Sequence, residues 1–217
     1  MPTAMTFNSL LADVQAYIER GTAVDPTVLN QLPTLINDAE REIARELKIQ
    51  GFIAAVTSVL TAGTSVYAKP DRWRETISMN FGNGTPGNFV IRTSLYPRAY
   101  EYCRQYWPNE ALTALPVYYA DYNYSNWLIT PTPDQAYPIE IIYYELPILL
   151  DVVTQTNWLT QYASTTLRYR TLLECAPFLK NDERIAVWQG MYDKSIASLS
   201  GENIKKMIDR TTDRTGS

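Results

Sequence analysis

The chain has 217 residues, of which 46% are apolar and 19% charged, and its formal net charge is −4. That length is enough for one large domain or two small ones with a sizeable core, and the acidic balance argues against a protein that grips nucleic acid by neutralising phosphates. Histidine is absent, which removes the commonest general base, the commonest zinc ligand and every triad built on imidazole.

Residues 7–20 predict an amphipathic helix. Phe7, Leu10, Leu11, Val14 and Ile18 recur at helical spacing, and Gly21 follows as a C-terminal cap. Asp25-Pro26 has the form of a cap with proline in the first turn. Pro33 then restarts the segment as a long helix to about Ile49. Its apolar face is Leu32, Leu35, Ile36, Ala39, Ile43 and Leu47, and Asp38, Glu40, Arg41, Glu42, Arg45, Glu46 and Lys48 form a solvated face. No second acidic helix with matching spacing accompanies it, so these carboxylates do not read as a metal site.

At Gly51 the pattern changes. Residues 52–150 are aromatic and broken by Gly and Pro, the signature of short strands. Strands are expected over 52–60, 66–68, 75–81 and 89–93, with GNGTPGN at 82–88 as a hairpin loop. That loop has neither the Lys-Ser or Lys-Thr pair nor the following helix that a phosphate cradle needs. A short helix is expected over 97–106, paired strands over 116–121 and 127–131 with their turn at 123–126, and a long strand over 137–146. Residues 151–160 read as a linker. The stretch from Thr171 to Ile196 reads as two helices meeting at a corner, interrupted at Pro177. The second is capped by Asn181 or Asp182 and carries Ile185, Trp188, Tyr192, Ile196 and Leu199 on one face. After Leu199 the tail is polar and lacks a core-forming stripe.

The expected fold is therefore α+β: a four-helix bundle from the N- and C-terminal segments, residues 1–50 and 151–200, with an inserted β-rich domain, residues 51–150. Residues 201–217 are expected as a flexible C-terminal tail.

No catalytic, cofactor-binding or metal-ligating constellation appears. Cys103 and Cys175 are far apart, outside any metal-ligand spacing, and read as reduced thiols. The N-terminus lacks the form of a signal peptide, and no apolar run is long enough to span a bilayer. Sixteen tyrosines and five tryptophans remain to be explained. Tyr118, Tyr119, Tyr122, Tyr124 and Trp127 are candidates for an interface, because such side chains bury large area while keeping a polar tip. They also suggest a carbohydrate- or receptor-binding platform, although neighbouring strand side chains face opposite ways and only about half share one surface.

Several runs together carry a family resemblance. They are PTLINDAEREIARELKI, TAGTSVYAKPDRWRE, LPVYYA followed by WLITPTPDQAYPIEIIYYELP, and TNWLTQYAS followed by LLECAPFLKNDERIAVWQGMYDKSIASL. In order and spacing the chain resembles phage head-to-tail adaptor (connector) proteins of the tail-tubular-protein-A type. Lys69-Pro70 departs from that family, where leucine more often precedes the proline. The resemblance implies a structural virion protein with no enzymatic activity and no cofactor. It implies a dodecameric ring under the portal protein, possible as a monomer when isolated, that joins the capsid vertex to a downstream tail or nozzle protein. Double-stranded DNA would pass through the lumen without specific binding, and no membrane is involved. In that setting the tail residues Ile204, Lys205, Lys206, Met207 and Ile208 are expected to dock on the portal, and the tyrosine-rich region is expected to face ring neighbours or the tail.

Overall fold

A computed structural model describes residues 4–18, 26–178 and 183–207. The expected caps at Gly21, Asp25, Asn181 and Asp182 lie outside those residues. Among the described residues there are six helices, α1 (Phe7–Ile18), α2 (Pro26–Glu46), α3 (Tyr100–Tyr106), α4 (Trp158–Tyr162), α5 (Ser164–Glu174) and α6 (Arg184–Met207). The strands are β1 (Ile53–Leu60), β2 (Val66–Ala68), β3 (Trp73–Thr85), β4 (Asn88–Pro97), β5 (Thr113–Ala114), β6 (Tyr118–Asn123), β7 (Asn126–Thr130), β8 (Thr132–Pro133) and β9 (Tyr137–Glu145). The chain separates into two compact units, Met1–Phe52 with Pro147–Ser217, and Ile53–Leu146.

The first unit is helical. Thr6 and Ser9 open α1 with a reciprocal cap, each backbone N–H donating to the other's hydroxyl at 2.9 and 3.1 Å. Phe7, Leu10, Val14 and Ile18 are buried along one face. In α2 and the residue that follows it, Leu32, Ile36, Ala39, Ile43, Ala44 and Leu47 are buried. Pro33 does not restart this helix; it lies exposed inside a continuous one. A proline there removes one ladder bond and crowds the carbonyl four residues earlier, yet the apolar stripe on either side of it stays in line. The stretch expected as a linker overlaps the short α4, which is held by a capping box. The Asn157 side chain accepts from the Thr160 N–H, and the Asn157 N–H donates to the Thr160 hydroxyl at 2.9 Å. Helix α5 is the hub and packs on α1, α2, α4 and α6. On α6, Trp188 and Tyr192 are buried, and the Tyr192 hydroxyl donates to Glu46 at 2.5 Å.

The second unit is built on a seven-stranded sheet of order β1-β9-β3-β4-β6-β7-β2, accompanied by a two-stranded β5–β8 pair. Pairing is antiparallel except between β4 and β6 and between β5 and β8. The sheet curls into a half-barrel. Strands β3 and β7 are three spacings apart, about 14 Å if flat, yet the Trp127 indole N–H donates to the Thr76 hydroxyl at 3.0 Å. The concave face holds one core, to which Leu60, Met79, Phe81, Leu95, Trp127, Ile129, Ile139 and Ile141 all contribute. Helix α3 covers the opposite face of β6 and β7, burying Cys103 against Ala120 and Leu128.

These observations correct the expected fold class. The chain is mixed α+β, but it is not a four-helix bundle with a small β insert. The terminal segments supply five helices with α5 at their hub, and α3 belongs to the sheet. The sheet itself is large, because β1, the first strand of the unit, pairs with β9, the last, and draws the strands between them into one surface. Periodicity identifies strands one at a time and carries no signal for that long-range partner choice.

Candidate interaction surface

Helix α3 arises from a run, YEYCRQY, that contains no breaker and ends before Pro108. Spacing of four places Tyr102 and Tyr106 on one face, and their rings stack at 6.2 Å and 5°. Tyr118 of β6 meets both edge-on, at 5.5 and 5.1 Å. The Arg98 guanidinium lies 5.6 Å from the Tyr102 ring and 5.5 Å from Tyr118. Beside this group, Tyr100 and Tyr122 lie 5.7 Å apart, and Arg104 lies over both. Arg104 is further tied to Glu110. Such quadrupole and cation–π contacts fix the rings while leaving their outer surfaces wet. The hydrogen bond with Tyr102, followed by the neighbouring Tyr102 phenol, holds the Tyr118 hydroxyl above its ordinary pKa. Phenol rings and delocalised guanidinium groups make an adhesive face.

The five aromatic residues singled out in sequence divide between two places. Tyr119 and Trp127 point into the concave core, with Trp127 only 1% exposed. Burial pushes the Tyr119 phenol up. Tyr118 is half-buried under α3, while Tyr122 is exposed and Tyr124 is 77% exposed at the β6–β7 turn. Sequence reasoning missed Tyr100, Tyr102, Tyr106, Arg98 and Arg104. Their signal was present in the i, i+4 tyrosines of α3.

Lys69 has a structural role. Its ammonium lies 3.5 Å from the centre of the Trp73 ring and bonds to Asp121 at 2.6 Å and to the Asn123 carbonyl at 3.0 Å, leaving the side chain 2% exposed. The departure from leucine before Pro70 therefore places a cation where a packed aromatic and a carboxylate receive it. Of the tail residues, Ile204, Lys205, Lys206 and Met207 belong to the backbone of α6, which runs past the expected end near Leu199. Ile208 lies outside the described residues.

One carboxylate is in the wrong place for a solvated face. Glu40, grouped in sequence with the exposed charges of α2, is fully buried. It accepts from the Leu150 N–H at 2.9 Å and from the Asn157 side chain. Asn37, with its amide turned to satisfy both neighbours, donates to Glu40 at 3.2 Å and to the Leu150 carbonyl at 3.0 Å. Burial, opposed by these bonds and by Arg41, pushes the Glu40 carboxyl up to about 7. Its spacing from Ile36 and Ile43 puts it within the apolar stripe, and that spacing is the signal in the sequence. Its job is to tie the segment after Pro147 to α2. Among the described residues, no three His, Cys, Asp or Glu side chains converge as a metal site. None of the described helices is long and apolar enough to cross a membrane.

The family model for the SU10 adaptor protein matches residues 5–216. No curated protein matches the chain. A match across nearly the whole length makes the chain a member of the SU10 adaptor protein family, a family of structural phage adaptors.

Proposed function

We propose that this adaptor sits at the head–tail junction of the virion as a dodecameric ring. It binds the portal protein on one side and a tail or nozzle protein on the other, and the packaged genome crosses its lumen. The observation that carries the reading is the family match over residues 5–216. Charge supports it, because a net −4 protein does not neutralise phosphates and lets a duplex slide. The outward tyrosines Tyr118, Tyr122 and Tyr124, with Tyr100, Tyr102 and Tyr106, supply adhesive area to a protein neighbour. Apart from Tyr124, which meets Trp73 edge-on, their rings are engaged with one another and with Arg98 and Arg104, which favours a protein contact over a sugar-stacking platform. The segment Ile204–Ile208 docks on the portal, with Lys205 and Lys206 giving it local positive charge.

Purified protein mixed with the portal of the same phage is expected to form twelve-fold rings by negative-stain microscopy. Truncation after Leu199 abolishes that binding while leaving the thermal transition of the remaining chain in place. Unchanged portal binding by the truncated protein overturns the role given to the tail, and absence of rings with the intact protein overturns the ring itself.

A further inference from the structure

We infer that copies of this chain join through strand edges: the β3–β4 arm of one copy pairs with the open β1 edge of the next. The inference rests on the ring reading above and supplies its contact.

The two outer strands of the sheet are protected very differently. Strand β2 has three residues and is followed directly by Lys69-Pro70, the devices that blunt an edge. Strand β1 has eight, IAAVTSVL, with no charge, proline or glycine. It pairs with β9 without a bulge from Ile53↔Tyr144 to Leu60↔Tyr137, and β9 is its only strand partner among the described residues. Thr57, Ser58 and Val59 are exposed in succession, so both faces of this end are open to solvent. A long, bulge-free, uncharged edge of this kind is a template for another strand.

The second half of the contact lies elsewhere on the same unit. Strand β9 accompanies β3 only as far as Phe81, and β6 meets β4 only at Tyr96 and Pro97. Beyond those points, among the described residues, Gly82–Thr85 pairs only with the start of β4, and β4 as far as Ser94 has no strand on its outer edge. The result is a two-stranded arm closed by Pro86-Gly87, with Gly87 at φ 83° as a turn of this kind requires. Gly82 and Gly84 keep the ribbon close, since a Cβ on either would collide with the Ile91 or Asn88 carbonyl oxygen. A lone two-stranded ribbon is at best marginal in water, and this one exposes Val90 by 79% and Ile91 by 61%. Its one charged residue, Arg92, is occupied by Glu140 at 3.3 Å.

Among the described residues, arm and edge both present main-chain groups without a strand partner and are similar in length, and the arm's single charge is already paired. The arm's free β4 edge cannot pair with β1 within one molecule, because β9 and β3 lie between them in the sheet. Pairing between copies is therefore heterologous and propagates head to tail, closing where the rotation per copy allows. Main-chain bonds supply the adhesion and Val90 and Ile91 supply apolar cover, the mode of β-strand addition.

The test uses the full chain with the portal of the same phage. Val59→Lys guards the edge and leaves the arm intact; Val90→Lys guards the arm and leaves the edge intact. Both sites are exposed, and unchanged thermal melting verifies folding; Thr57→Lys and Ile91→Lys serve as the second pair. Each variant alone is expected to lose roughly tenfold or more of its rings, the effect of about 1.4 kcal/mol per contact. Mixed together, the two retain one sound arm and one sound edge, so chemical cross-linking is expected to capture heterologous pairs but no ring. Wild-type ring yield from either variant, or no pairs in the mixture, overturns the strand-edge contact. Failure of the wild-type protein to form rings overturns the ring reading, and this contact with it.

Discussion

Glu40 makes the stability of the helical unit fall as the pH rises. Its carboxyl is fully buried, and its pKa moves from 4.5 to about 7 on folding, with burial as the largest cause. Below pH 4.5 it is protonated in both the folded and the unfolded chain and contributes no pH dependence. Between pH 4.5 and 7 the folded chain holds a proton that the unfolded chain has released, so stability drops with each pH step. Each unit is worth about 1.4 kcal/mol, which makes the total over this window about 3 kcal/mol. Above pH 7 the loss is complete and constant. Glu40→Gln cannot titrate and keeps an oxygen to accept from Leu150 or Asn157. Urea unfolding of both proteins at pH 4.5, 5.5, 6.5 and 7.5 isolates the effect, because the other ionisable groups cancel in the difference. The wild type is expected to lose about 3 kcal/mol relative to Glu40→Gln across the series. A constant difference, or one that grows in favour of the wild type with pH, refutes the reasoning. It would mean that the donors from Leu150 and Asn157 outweigh desolvation and hold the carboxylate ionised.

Other substitutions probe the packing. At Gly51 a Cβ would enter the Trp158 indole, which lies edge-on to Phe52 at 5.7 Å, so Gly51→Ala is expected to cost about 1–3 kcal/mol in thermal unfolding; an unchanged melting temperature would mean the indole yields freely. Gly190 sits in α6 where an added Cβ would meet nothing within 4 Å, and Gly190→Ala should instead raise stability by about 1 kcal/mol, measured the same way. Trp127→Ala empties the concave core and should cost about 3–5 kcal/mol. Trp127→Phe, which keeps a ring but drops the bond to Thr76, should lose less; equal losses from the two would assign the stability to the hydrogen bond rather than to packing.

Local pattern made much of the chain legible from its residues. The spacing of Phe7, Leu10, Val14 and Ile18 places them on the buried face of α1, and the alternation of Ile139, Ile141 and Tyr143 places them in the core. The lack of histidine excludes imidazole chemistry without reference to any fold. The order of short runs along the chain also pointed to phage adaptors, because a family keeps its elements in order even where no single motif is diagnostic. Partner choice between distant segments was decided only in three dimensions. Burial of Tyr119 and Trp127 beside exposure of Tyr122 and Tyr124 depends on which way the sheet curls. Glu40 became a buried clamp because the segment after Pro147 returns to α2 and presents an N–H and an amide to it. The open edge of β1 exists because, among the described residues, β9 pairs on one side of it and no strand on the other. A residue's neighbours along the chain set its periodicity, but its neighbours across the fold set its burial, its charge state and the surface it leaves for a partner.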